Sequence, residues 1–129
     1  MMATEKGFEN RIKTFLYQEG CWLIKYWGGG EYTKAGVPDI LCCCKGAFLG
    51  IEVKSKSGKP SPLQIKNLRD INRSGGYAIL LYPQDFTHFK HLIENIRFGN
   101  DEERELQYQY FETIWLRWLS KFQREGLLM

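Results

Sequence analysis

The chain has 129 residues, 43% apolar, 26% charged and 15% aromatic, with 13 glycines and 4 prolines. These figures exclude collagen-like and disordered chains, no apolar run approaches the ~20 residues of a membrane-spanning helix, and the length suits one globular domain over residues 1–129. The formal net charge of +3 hides an asymmetry: 12 Lys and Arg face 7 Asp and Glu up to Arg73, whereas 6 face 8 beyond it.

Thr4 is placed to cap a helix over about residues 5–18, with Phe8, Ile12, Phe15 and Leu16 on one face and Gly20 past its end. Cys21–Trp27 reads as a strand stopped by Gly28, Gly29 and Gly30, which open a loop to Gly36 expected to be mobile. These glycines lack the spacing of a phosphate-binding fingerprint. Asp39–Cys44 and Ala47–Lys54 are two further strands, and Lys45-Gly46 between them signals an antiparallel hairpin. Ser61 can cap a helix with Pro62 in its first turn and Leu63, Ile65, Leu68 and Ile71 as apolar positions, ending before Gly75-Gly76. Tyr77–Tyr82 is a continuous apolar run, read as a strand buried on both faces and therefore placed at the centre of the sheet. Helices over about 84–97 and 101–124 follow, separated by Gly99-Asn100. The order αβββαβαα belongs to the α/β class.

Of the four cysteines, Cys42, Cys43 and Cys44 are consecutive and alternate across a strand, while Cys21 stands apart. They read as buried small hydrophobes in a reducing compartment rather than as a metal cage or a disulfide framework. The opening MMATEKGFEN has no apolar signal core, so a cytoplasmic location is expected. His88 and His91, three apart on a helix, are not read as ligands.

The chemistry concentrates at the hairpin. Asp39 opens one strand after Gly36-Val37-Pro38, and Glu52-Val53-Lys54 closes the next. Strand alternation puts Glu52 and Lys54 on one face, and the hairpin brings Asp39 beside them. Two close carboxylates repel and are best neutralised by a hard divalent cation, Mg²⁺ with Mn²⁺ able to substitute, which can activate water and polarise a phosphate. Lys54 can orient that water and stabilise charge developing on phosphate, and Gln64, one turn into the next helix, can hydrogen-bond without competing for metal. Lys34, Lys56, Lys59, Lys66, Arg69 and Arg73 form the basic surface expected to meet a polyanion. A Glu-x-Lys triplet alone arises by chance in a large fraction of such chains; the ordered set of Gly-x-Pro-Asp, hairpin, Glu-x-Lys and a Gln-bearing helix carries the signal.

At these residues the sequence resembles the PD-(D/E)XK nucleases, and among them the stand-alone phage VRR-Nuc proteins, over residues 5–82. The resemblance implies a restriction-endonuclease-like αβββαβ core, with a mixed central sheet flanked by helices and two added C-terminal helices over 83–129. It makes Asp39 and Glu52 metal ligands helped by the Val53 carbonyl, Lys54 the catalytic lysine and Gln64 an assistant. Members also place a glutamate on the first helix. Glu5 and Glu9 compete for that role, with Glu9 favoured because it precedes Ile12 as the corresponding acid does in archaeal Holliday junction resolvases.

The resulting expectation is a metal-dependent DNA endonuclease selective for branched DNA, a Holliday junction or a flap, in the cytoplasm of a bacterial host if phage-encoded. The rival from another class is a catalytically silent DNA-binding or assembly subunit; a sequence-specific restriction enzyme ranks below both, for want of recognition elements. In the last helix Phe111, Trp115, Trp118 and Phe122 recur at spacings of four, three and four, and Leu106, Tyr110, Ile114 and Leu119 widen the apolar arc beyond what one packed face hides. A homodimer or higher homo-oligomer assembled through that helix is therefore expected, and no membrane partner.

Overall fold

The computed structural model describes residues 4–28 and 34–129. Most of the glycine loop expected to be mobile, Gly29 and Gly30 included, lies outside the described residues. The elements are α1 (Glu5–Gln18), β1 (Trp22–Lys25), β2 (Ile40–Cys44), β3 (Ala47–Val53), α2 (Pro62–Arg73), β4 (Tyr77–Leu81), a 3₁₀ turn (Pro83–Asp85), α3 (Phe86–Phe98) and α4 (Asp101–Arg124). Local chemistry sets several boundaries. The Thr4 side chain accepts from the Gly7 N–H, Ser61 and Gln64 form a reciprocal capping box with Pro62 behind it, and Gly99 ends α3 in the left-handed conformation.

The sheet has the order β1-β2-β3-β4, antiparallel across the first three strands and parallel between β3 and β4. Lys45 and Gly46, both at positive φ, make the two-residue turn whose twist suits a hairpin. β1 is shorter than its apolar run because its partner runs out: Lys25 pairs with Ile40, the first residue of β2. One face of the sheet packs on α1 and α3 through Phe8, Ile12, Leu16, Ile40, Leu49, Ile51, Val53, Ile79, Phe89 and Leu92. The other holds Ile65, Leu68, Ala78, Leu80, Trp115 and Phe122, contributed by α2, β4 and α4.

Three expectations are corrected here. β4 is an edge strand, not a central one; it is buried because helices lie on both its faces and because Tyr108 closes its free side, its hydroxyl accepting from the Ala78 N–H at 2.9 Å. Most of the broad apolar arc of α4 is consumed within the chain, Leu106 and Tyr110 alone of its members staying exposed. Phe111 joins the core on the α1/α3 side while Trp115, 1% exposed, joins the core on the α2 side, so α4 passes along the sheet edge and serves both. Cys21 does not stand alone: it is disulfide-bonded to Cys44, and the buried Cys42 thiol lies 3.5 Å from the Cys44 sulfur. Alternation explains the pairing, since Cys42 and Cys44 share the face that α1 covers, and Cys21 enters that face just beyond α1. Cys43, on the opposite face, is exposed rather than buried.

No helix among the described residues is long and apolar enough to cross a membrane.

Candidate active site

The site forms where β2 begins and β3 ends. Gly36 makes the approach possible: at φ +78°, a Cβ there would lie 2.7 Å from the Leu63 carbonyl carbon, so only glycine lets the chain pass against the first turn of α2. Asn67 ties the same passage down by donating to the Ala35 and Leu63 carbonyl oxygens at 3.1 and 2.9 Å. Asp39 is thereby delivered beside β3, where its Oδ2 accepts from the Val53 N–H at 2.8 Å. Val53 itself is fully buried in the core, which turns its neighbours Glu52 and Lys54 to the opposite face.

Glu52 is 2% exposed. Its Oε2 accepts from Gln64 Nε2 at 3.2 Å and stands 3.4 Å from Lys54 Nζ, while Oε1 is buried with no hydrogen-bond partner among the described residues. Burial, and then the neighbouring Asp39 carboxylate, push its carboxyl up to about 9, against a smaller opposing pull from Lys54. The capping box explains why Gln64 faces it. Gln64 Oε1 accepts from the Ser61 N–H at 2.9 Å, leaving the Nε2 end of the amide turned to the carboxylate. The Lys54 stem lies against the turn at Gly58, where a Cβ would come within 3.3 Å of it, and the Gly58 carbonyl is held by the Tyr82 hydroxyl at 2.8 Å.

Of the two glutamates on α1, Glu5 is exposed in the first turn, whereas Glu9 is buried and turned to the site. Between Glu9 and Asp39 stands Lys25, a residue the sequence reading passed over. Its Nζ is 2.5 Å from Glu9 Oε1 and 3.4 Å from Asp39 Oδ1. Burial works against the charge, but the hydrogen bond to Glu9 and the charges of Asp39 and Glu9 outweigh it and hold the ammonium above its ordinary value. The signal was present but unused: in the run WLIK the lysine is the last strand residue, and antiparallel pairing places it opposite Ile40, next to Asp39.

The donor set fits a hard divalent cation. Glu9, Asp39 and Glu52 bring carboxylates to one end of the sheet, and the orphaned Glu52 Oε1 is a buried acceptor that a cation would satisfy. The sulfurs of Cys21, Cys42 and Cys44 form the one His/Cys/Asp/Glu cluster of ligand atoms within 4.8 Å of one another among the described residues, but the bond between two of them removes it as a thiolate cage. His88 stacks on Tyr110 instead of joining any ligand group.

The basic residues divide. Lys34, Lys56, Lys59 and Arg73 are exposed. Lys66 pairs with Asp70 at 3.1 Å, and Arg69 turns away from solvent to donate to the Met129 main-chain oxygen at 2.9 Å, with its Nε beside Asp70. Arg69 is thus spent on holding the C-terminal segment to α2 rather than offered to a ligand.

Compared with known proteins, the model of the archaeal Holliday junction resolvase family (Hjc) matches residues 2–81, which span α1 through β4 and every acid of the site. No curated protein and no solved structure matches the chain.

Proposed function

Because this chain belongs to the archaeal Holliday junction resolvase family, whose members are nucleases acting on four-way DNA junctions, we propose that it cuts branched DNA by Mg²⁺-assisted phosphodiester hydrolysis at the Glu9–Asp39–Glu52 site. The observation that carries this reading is Glu52, a carboxylate 2% exposed with one oxygen unpartnered, set beside a second acid. An acid in that position is costly to a fold and useful to a cation site.

Asp39 and Glu52 would hold the cation, with Glu9 and the Val53 carbonyl as further ligands; when bound, it would acidify a water and neutralise phosphate charge. Asp39 is fixed by the Val53 N–H, and Glu52 by Gln64, so neither has to be ordered at the moment of binding. The Lys54 ammonium, anchored at Glu52, faces the same opening and stabilises negative charge as it grows on the phosphate. Lys25 compensates Glu9 and Asp39 before the cation arrives and is positioned to bind phosphate afterwards. Lys34, Lys56, Lys59 and Arg73 hold the DNA arms through phosphate contacts. Within the wider superfamily we read the chain as a stand-alone VRR-Nuc protein of phage type, acting in the cytoplasm of a bacterial host.

Two symmetric cuts at a four-way junction need two sites related by a two-fold axis, so the acting species is a homodimer. With Phe111, Trp115, Leu119 and Phe122 of α4 buried within the chain, the pairing surface is the sheet face left open over β1–β3, where Trp22, Cys43 and Phe48 form one cross-strand row and Ile24 and Leu41 the next.

The test is cleavage of matched duplex, flap and four-way junction DNA with Mg²⁺, Mn²⁺ or EDTA. Junction cleavage is expected with Mg²⁺ and none with EDTA. Asp39→Asn, Glu52→Gln and Lys54→Ala should each lower the rate by orders of magnitude, the first two weakening Mg²⁺ binding and the third leaving it intact. Cleavage that persists in EDTA, or equal metal loss in all three variants, would overturn the assignment.

A further inference from the structure

Trp27 is 77% exposed, a large apolar surface left in water two residues beyond an active-site lysine. Among the described residues most exposed aromatics lie elsewhere: Phe98 ends α3, and Tyr17 sits near the end of α1. Trp27 is different because it touches the site. The Lys25 ammonium that bridges Glu9 and Asp39 also lies over the Trp27 ring, 5.6 Å from its centroid. A cation over one face of an indole is attracted to the ring and orients it. Among the described residues no other cation–π or ring-stacking contact involves Trp27, and its high exposure leaves the second face open. The backbone behind it is anchored, since the Tyr26 N–H donates to the Asp39 carbonyl at 2.8 Å and the Tyr26 hydroxyl donates to the Lys34 carbonyl at 3.3 Å. The platform is thus tied by main chain to the residue next to which hydrolysis would occur.

Such a platform discriminates between DNA shapes. In an unbroken duplex each base is stacked between its neighbours and offers no free π-face, so an indole has nothing to cover. Where arms splay at a branch point, base-pair faces lose their coaxial neighbour. We propose that Trp27 stacks on the base exposed at the branch point and thereby selects the junction over duplex DNA, bringing the adjoining phosphate to the Asp39–Glu52 acids. This inference rests on the nuclease reading and deepens it, naming the residue that reads branching. Base–aromatic stacking of this kind multiplies affinity by about ten- to a hundredfold per base, and does so with any base, which suits a structure-selective enzyme.

The experiment measures binding to a four-way junction and to a matched duplex, with Ca²⁺ replacing Mg²⁺ so that binding is read without cutting. The junction carries 2-aminopurine beside the branch point. Wild-type protein should favour the junction and quench the probe. Trp27→Ala should lower the ratio of junction to duplex affinity by about ten- to a hundredfold and abolish the quenching, Trp27→Phe should retain most of both, and Tyr17→Ala, remote from the site, should retain both in full. Trp27→Ala protein that keeps the wild-type ratio and the wild-type quenching overturns the inference, and so does wild-type protein without junction preference. Failure to cut with Mg²⁺ or Mn²⁺ would count against the hydrolytic reading alone, because the ratio and the quenching are binding quantities.

Discussion

Glu52 and Asp39 are both carboxylates of the same cluster, yet the structure assigns them different loads. Asp39 has a main-chain N–H and the Lys25 ammonium to satisfy it, whereas Glu52 is buried with one oxygen unpaired. Relief of the acid–acid repulsion in the metal-free protein should therefore come from Glu52→Gln, because Asp39→Asn would disturb an acceptor already in use. The sign follows from burial. With the folded carboxyl raised from its usual 4.5 to about 9, the folded state holds a proton that the unfolded chain releases between those values. Stability without metal should accordingly fall as pH rises through that window and recover on acidification, until other carboxylates protonate. Thermal melts in EDTA are expected to show Glu52→Gln melting above wild type at pH 8, with the gap closing near pH 5. Mg²⁺ should raise the wild-type midpoint and leave that of the variant unmoved. A gap independent of pH would place the burden on some residue other than Glu52.

At the scale of elements, β4 poses the main physical problem, because an apolar edge strand offers unpaired backbone groups to any passing strand. α4 supplies the remedy. The Tyr108 hydroxyl accepts from Ala78 N–H and donates to Asn72 Oδ1 at 2.8 Å, joining the strand edge, α2 and α4 in one chain of hydrogen bonds. Burial raises the Tyr108 phenol well above its ordinary value, so it stays protonated and able to serve both partners. Tyr108→Phe keeps the ring and deletes the hydroxyl, stranding a buried donor, and should cost about 1–3 kcal/mol. Urea titration would record a lower midpoint with an unchanged slope; an unchanged midpoint would mean that water or another group replaces the hydroxyl at no cost.

Across the whole molecule, two features govern behaviour in solution. The Cys21–Cys44 bond closes a loop of sequence separation 23, joining the exit of α1 to the far end of β2, and α1 carries Glu9. The chain-entropy estimate for such a loop is about 3 kcal/mol, so a reducing dithiol should lower the melting temperature appreciably. Thiol counting offers an independent check. Burial, and then Cys43, push the Cys42 thiol up to about 12, leaving the exposed Cys43 as the only one expected to react quickly at neutral pH. Three fast thiols before any reductant is added would contradict the disulfide. The second feature is the open sheet face. Trp22 is 65% exposed and its replacement leaves the core untouched, so Trp22→Glu should fold and convert a dimer to a monomer in light scattering. A wild type that scatters as a single chain at every concentration would remove the two-fold arrangement. Either result would differ from that of Trp115→Glu, which should unfold the chain because Trp115 is interior.

The sequence by itself determined what depends on near neighbours. Thr4, Ser61 with Gln64, and Gly99 mark helix ends because capping involves three or four consecutive residues, and Lys45-Gly46 sets the hairpin because a two-residue turn fixes register. That register, with strand alternation, was enough to converge Asp39, Glu52 and Lys54. Tertiary structure decided the rest. Lys25 meets Glu9 only because α1 lies over the end of β1, Cys21 finds Cys44 across the same packed layer, and Arg69 turns to Met129, sixty residues away. β4 lies at the edge, and α4 hides most of its apolar arc, because one long helix passes along the sheet margin and feeds both cores. Apolar pattern tells how much surface a segment must bury; which surface buries it depends on how distant elements stack, and no local run of residues encodes that.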